Sequence, residues 1–283
     1  MRVAVTGAAG FVGGAVVAHL REHGHQVTPL TRREWDITAG RSPLSVDAVV
    51  HCAALADDSA PIAQAMLVNR IGTRNVVASF PDARLVHVST SSVYDARTPS
   101  VRLAEGPPAD RFLSTYSESK AAAEAELPAE AVILRPHAVY GPGDRTLLPR
   151  VLAGIRGRRL ILPEGAAVRH TLTHIDNLGQ AVAFALTGPA GVYNVGDDTD
   201  VLLSAVLAEF LVRRGRPDVT IRSIPYGAAF AAAGVLERLS RRPRLTRYAV
   251  SQLGVERTFD LGRARELLGY RPGPTTLAGA EGW

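Results

Sequence analysis

A short apolar run, Arg2–Thr6, opens directly into Gly7-Ala8-Ala9-Gly10-Phe11-Val12-Gly13, and a helical pattern follows to about His23. Strand, glycine turn and helix in that order restrict the fold more than anything else in the chain. Glycines permit the tight turn and let a bulky anion approach the backbone. The helix N-terminus behind them supplies free N–H groups and the positive end of a dipole. A plain strand–helix turn is the competing reading. The context on both sides predicts instead a dinucleotide pyrophosphate lying against Gly7, Gly10, Phe11 and Val12.

The same rhythm continues downstream. Residues 26–30 and 46–51 read as strands, the second ending in Cys52-Ala53-Ala54, and 61–78 as a helix. Residues 84–89 form the next strand, 115–127 a helix and 131–134 a strand that meets Arg135-Pro136. Strands alternating with helices imply a parallel sheet with right-handed crossovers. Near-continuous apolar runs imply strands buried on both faces. The expected fold is therefore α/β: a doubly wound parallel Rossmann sheet with a smaller C-terminal substrate lobe. Its expected boundaries are 1–140 for the nucleotide-binding domain, with 171–198 returning to it, and 141–170 plus 199–283 for the lobe.

The end of the second strand chooses between cofactors, because an acid there binds ribose hydroxyls and an arginine accommodates a 2′-phosphate. The segment reads Leu30-Thr31-Arg32-Arg33, without an acid. Arg32 and Arg33 thus favour NADP, with NAD as the alternative, and Asp36 and Ile37 are expected beside the adenine. Ser89-Thr90-Ser91-Ser92 falls at the carboxyl end of a buried strand, the edge where such sheets bind ligands. A hydroxyl there is placed either to bond a substrate carbonyl or simply to cap a turn.

Tyr116-Ser117-Glu118-Ser119-Lys120 puts a phenol and an ammonium on one helix face. A nearby cation favours phenolate and makes the phenol a usable acid or base. Of the 7 tyrosines, only Tyr116 has a basic residue four positions on. Of 32 Lys plus Arg, Lys120 is the sole lysine. Lysine is a compact point charge and arginine a planar fork, so a site that needs the former tolerates the swap badly.

These marks occur together with His51-Cys52-Ala53-Ala54, Asn69 with Gly72-Thr73-Arg74-Asn75, and Leu134-Arg135-Pro136 with Tyr140-Gly141-Pro142. In that order they resemble the extended branch of the short-chain dehydrogenase/reductase family, the NAD-dependent epimerase/dehydratase superfamily, over nearly the whole chain. The resemblance implies hydride transfer between a nicotinamide and a secondary alcohol or ketone. Tyr116 would exchange the proton, Thr90 (with Ser91 second in line) would orient the oxygen, and Lys120 would hold the nicotinamide ribose. It also implies that Ala53, Ala54, His137 and Val139 line the cofactor. The 135–144 segment resembles 3β-hydroxysteroid dehydrogenases, whereas Trp35-Asp36-Ile37-Thr38 resembles 4-ketosugar reductases.

Three readings follow: an NADP-dependent ketoreductase acting on a small, fairly apolar molecule; a nucleotide-sugar epimerase, dehydratase or ketosugar reductase, with Arg169 on a phosphate; and a regulator with a relict site. The intact Tyr116–Lys120 pair speaks against the last.

Composition removes other classes. The charge is +5, and arginines cluster at Arg238, Arg241, Arg242, Arg244 and Arg247. No recognition motif accompanies them, so neither nucleic acid nor membrane is expected as partner. No run approaches the roughly 20 apolar residues of a membrane span. The single cysteine, Cys52, fits a reducing compartment, and no secretion signal is legible, so a cytoplasmic setting is expected. No metal site is expected. A homodimer through the helix after the third strand and the Tyr–Lys helix is expected from the resemblance alone.

Overall fold

The computed structural model describes every residue except Ser42, Pro43, Arg241, Arg242 and Arg244. Three of the clustered arginines therefore lie outside the described residues. The chain begins β1 (Arg2–Thr6), α1 (Phe11–Glu22), β2 (Gln26–Leu30) and β3 (Ala48–His51). Then come α2 (Ile62–Ala65), a π-helical turn (Met66–Ile71), α3 (Gly72–Ser79) and β4 (Arg84–Val88). β5 (Ser100–Leu103) and α4 (Thr115–Glu124) precede β6 (Val132–Pro136), β7 (Val139–Tyr140), α5 (Leu147–Ala153) and β8 (Arg159–Pro163). β9 (Arg169–His170), β10 (Thr173–His174), α6 (Ile175–Ala185) and β11 (Gly191–Val195) follow. The chain continues through β12 (Val201–Leu202), α7 (Leu203–Arg213), β13 (Thr220–Ile224), α8 (Tyr226–Leu239), α9 (Arg247–Gly254) and β14 (Arg257–Phe259).

Six strands form one parallel sheet in the order β11-β6-β4-β3-β1-β2. The order reverses between β1 and β3, where a doubly wound sheet opens its ligand crevice. β1, β3 and β4 are apolar and almost wholly buried, because helices cover both faces. On one face α1 and α6 pack together, with Val16, Leu20, Leu178 and Val182 in the core. Each such buried side chain contributes on the order of 1.5–3 kcal/mol. The sixth strand, β11, comes from beyond residue 190, so the chain returns to this sheet after building part of the lobe. Residues 264–270, assigned to the lobe from sequence, instead send Ala264, Leu268 and Tyr270 into the sheet's core.

The lobe has its own core around Leu160, Leu207, Phe210 and Leu211. A small sheet, β12-β9-β14-β5, spans the two regions. Its strand β5 lies between β4 and α4, in a stretch where no strand was expected from sequence.

The helix expected over 61–78 carries the π turn in its middle. An extra residue in a helical turn swings a side chain out of register, and here Asn69 faces inward. Its amide bonds both backbone groups of Leu55 and the Ser119 hydroxyl at 2.8 Å, tying the loop after β3 to α4. α4 ends at Glu124, three residues before the expected position. Its start is fixed by Ser114, whose hydroxyl accepts the Ser117 N–H at 3.1 Å.

Candidate active site

The glycine turn is built as much for itself as for a ligand. Gly7 has φ +70°, and a Cβ there would lie 2.7 Å from the Ala53 backbone; at Gly13 it would strike the Gly7 carbonyl. Gly10, by contrast, is exposed and begins α1 with no side-chain cap and no acid in the first turn. Phe11 and Val12 stand half-exposed beside it. The N–H groups of that turn are thus open to an anion, and a pyrophosphate fits. Ala53 forms the floor, its N–H donating to Thr6 Oγ1, and Ala54 is exposed at the rim.

At the end of β2 both carboxylates are occupied. Glu34 accepts from Thr31, while Asp36 accepts from Thr38 and from Arg32 Nε at 2.9 Å. These bonds hold the Asp36 carboxyl down at about 2. Arg33 is exposed and Arg32 nearly so throughout its side chain, at 85%. The Ile37 side chain, expected beside the adenine, is buried in a core cluster against Gly72.

The catalytic candidates converge at the carboxyl end of β4. Thr90 caps the short turn Ser91–Val93, accepting the Ser92 N–H at 3.1 Å, and its hydroxyl also faces the Tyr116 phenol. Ser91 turns away. Its Oγ lies 2.9 Å from His137 Nδ1, and His137 Nε2 lies 3.1 Å from His170 Nδ1. The His137 side chain is therefore committed to a buried network beneath Phe259 instead of lining the cofactor. Val139 is half-buried against the main core.

Lys120 is 2% exposed, and its ammonium donates to His87 Nε2 and to the Val88 carbonyl, each at 2.9 Å. This corrects an expectation. Burial pushes the Tyr116 phenol up to about 12, a Thr90 hydrogen bond opposes the rise, and the Asp58 charge adds to it. The Lys120 ammonium is directed into the sheet at His87. Burial in turn depresses Lys120 to about 8.

Sequence reading missed four residues here. Asp58 lies near Tyr116 and forms an ion pair with Arg150 of α5 at 2.9 Å; burial raises its carboxyl above the usual range. Tyr248 of α9 brings a second phenol to Ser92 and Tyr116. The fourth is His87, a polar residue inside an apolar strand and the one signal among these that the sequence offered. A cleft of about 320 Å³ runs past Asp58, Thr115 and Glu118, with Phe112 and Leu113 as its apolar wall. Arg169, by contrast, is exposed on β9.

The model of the NAD dependent epimerase/dehydratase family matches residues 3–196. The 2-alkyl-3-oxoalkanoate reductase of Stenotrophomonas maltophilia (strain K279a) is 30% identical, over 96% of this chain and 95% of that protein. The dTDP-4-keto-6-deoxy-D-glucose reductase of Streptomyces niveus is also 30% identical, over 67% of this chain and 70% of its own. Among solved structures, dTDP-4-dehydrorhamnose reductase from Bacillus anthracis str. Ames, in complex with NADP, superposes with a TM-score of 0.72. It covers 99% of this chain and 97% of that one at 21% identity, a likeness of fold. Fold and site define an NAD(P)-dependent oxidoreductase acting on ketone and alcohol groups. The chain belongs to the NAD dependent epimerase/dehydratase family.

Proposed function

We propose that the protein reduces a ketone on a small, fairly apolar molecule with NADPH. The observation that carries this reading is the meeting of the Thr90 hydroxyl and the Tyr116 phenol at the carboxyl end of β4, beside the sole, buried lysine. The bound nicotinamide supplies the hydride. Thr90 donates a hydrogen bond that holds the substrate oxygen, and Tyr116 delivers the proton to it. Lys120 supplies the positive charge behind them, and Tyr248 narrows the space on the lobe side.

The apolar substrate is supported by Phe112 and Leu113 on the cleft, and by Glu118 along it, a carboxylate that repels a nucleoside diphosphate. The Stenotrophomonas relative, named for a 3-oxoalkanoate substrate, supports it as well. The relative from Streptomyces niveus favours the second reading, reduction of a nucleotide 4-ketosugar. Following NADPH absorbance with a panel of 2-alkyl-3-oxoacids, simple ketones and dTDP-4-ketosugars decides between them. Turnover confined to the nucleotide sugars would sink the first reading.

NADP preference rests on Arg32 and Arg33, since both nearby acids are occupied. Replacing both arginines by Ala should raise the KM for NADPH by roughly 10–100-fold, the equivalent of losing one or two hydrogen bonds to a charged group, and leave that for NADH nearly unchanged. Equal losses for both cofactors would show that the arginines do not read the 2′-phosphate.

A homodimer and a cytoplasmic setting complete the proposal. Ile62 and Leu67, exposed at 41% and 48% on the helix after β3, support the dimer, which light scattering checks. The lone Cys52 supports the setting.

A further inference from the structure

A buried ammonium needs acceptors for its protons and, ordinarily, a carboxylate nearby. Among the described residues the carboxylate that approaches Lys120 is Glu124, a helical turn further on, and both its oxygens are engaged by Arg135. Tyr116 lies one turn back on the same helix. From β3, His51 and Cys52 face the cation. Burial and the Lys120 charge keep the His51 ring at about 3, hence neutral; burial alone raises the Cys52 thiol to about 12. His51 is fully used: Thr73 Oγ1 donates to the Asn69 carbonyl, so it accepts from His51 Nε2, and His51 Nδ1 accepts from Thr6 Oγ1. The ammonium is left with the Val88 carbonyl and His87 Nε2. His87 is 0% exposed, and its other nitrogen, Nδ1, has no hydrogen-bond partner among the described residues.

An ammonium only donates, so Nε2 must be the unprotonated nitrogen and Nδ1 must carry the hydrogen. The ring therefore leaves one buried N–H unpaired in order to offer a lone pair to Lys120. A buried unsatisfied polar group is costly and asks for a reason. We propose that His87 is the positioning residue of Lys120: a neutral imidazole, held as the Nδ1–H tautomer, that accepts one ammonium proton through Nε2, orients the cation and leaves its third N–H for a ligand hydroxyl. The arrangement requires a compact cation with acceptors on two sides, which a guanidinium fork does not fit. It thereby gives the retention of a single lysine a structural cause. The ligand hydroxyl rests on the nicotinamide reading above; the His87–Lys120 contact does not.

Because Lys120 is the only lysine, protein labelled with ε-¹³C-lysine and carrying no added lysine gives one lysine signal. Its titration should have its midpoint near 8 in the wild type, as burial dictates. In His87→Phe the acceptor is gone, the charged form is less favoured, and the midpoint should fall by roughly one pH unit. In His87→Gln the amide oxygen replaces Nε2 and should restore most of the shift. Reduction needs the ammonium, so the alkaline limb of kcat/KM, lost as pH rises through the lysine midpoint, should move down in step. Equal midpoints in wild type and His87→Phe would overturn the proposal. If His87→Phe does not fold, the wild type still decides it: ¹⁵N imidazole shifts, assigned with His87→Gln, must report the Nδ1–H tautomer, and Nε2–H overturns it. Neither titration nor tautomer involves a substrate. Absent ketone turnover would refute the functional reading and leave the role of His87 standing.

Discussion

Replacing Tyr116 with Phe should lower kcat for ketone reduction by about two to four orders of magnitude, the usual worth of a positioned proton donor, with the KM for NADPH little changed. The phenol is partly covered at the N-terminal turn of α4 and has the Thr90 hydroxyl against it. Phenylalanine keeps the ring and removes the hydroxyl that carries the proton. Thr90 does not replace it, because an aliphatic hydroxyl is a far weaker acid. Tyr248 is the other phenol nearby, but its hydroxyl bonds Ser92. The shift of Tyr116 also sets the direction in which the site works best. A phenol raised to about 12 is protonated at every working pH, so it is ready as the acid of a reduction. As the base of an oxidation it must first lose that proton. Alcohol oxidation should therefore climb with pH well into the alkaline range, while reduction stays level and then declines as Lys120 loses its proton near 8. Stopped-flow or steady-state NADPH absorbance measures both. A Tyr116→Phe variant that keeps more than about a tenth of the wild-type rate would remove Tyr116 from the proton transfer.

Much of this site was legible because its signals are local. Gly7, Gly10 and Gly13 sit on one turn, and Tyr116 and Lys120 on one helix face, so spacing alone reports them. The Ser89–Ser92 turn was found by its place at the end of an apolar strand, and the family resemblance singled out Thr90 within it. What sequence could not supply was direction through space. Lys120 was expected to act on Tyr116 four residues away, yet its ammonium reaches His87, 33 residues back. Ser91 and His137 were read separately as site residues, and only the fold shows them bonded to each other and to His170. The π turn at Met66–Ile71 leaves no periodic trace, because its residues are ordinary helix formers and its purpose is the contact of Asn69 with Leu55 and Ser119. Tyr248 and Asp58 approach the site from α9 and from the loop after β3, segments without any motif. The fold was legible for a related reason: alternating apolar runs report a parallel sheet and the return of 171–198 to it, but not that residues 264–270 come back to its core.

Glu124→Ala should destabilise the protein by about 3–5 kcal/mol, out of a total on the order of 5–15. Glu124 and Arg135 are 6% and 2% exposed in their side chains, and the pair joins α4 to β6 behind the catalytic helix. The contact is bidentate, with Nε to Oε1 at 3.0 Å and Nη2 to Oε2 at 2.5 Å. Ser89 donates to the same carboxylate. Arg135 also donates to the Gly106 carbonyl and stacks 4.8 Å from the Tyr94 ring centroid. Removing the carboxylate leaves a guanidinium buried without a counter-charge, and that penalty, not the strength of the pair, sets the size of the effect. The double variant Glu124→Leu with Arg135→Met removes both charges and should recover most of the loss. Urea unfolding of wild type, single and double variants measures the difference. A further consequence concerns catalysis: Glu124 supports the charged form of Lys120. Both variants should therefore move the alkaline limb of reduction to lower pH, even where the double variant has regained its stability. Recovery of stability together with an unshifted limb would mean that Glu124 serves only the packing of α4 on β6.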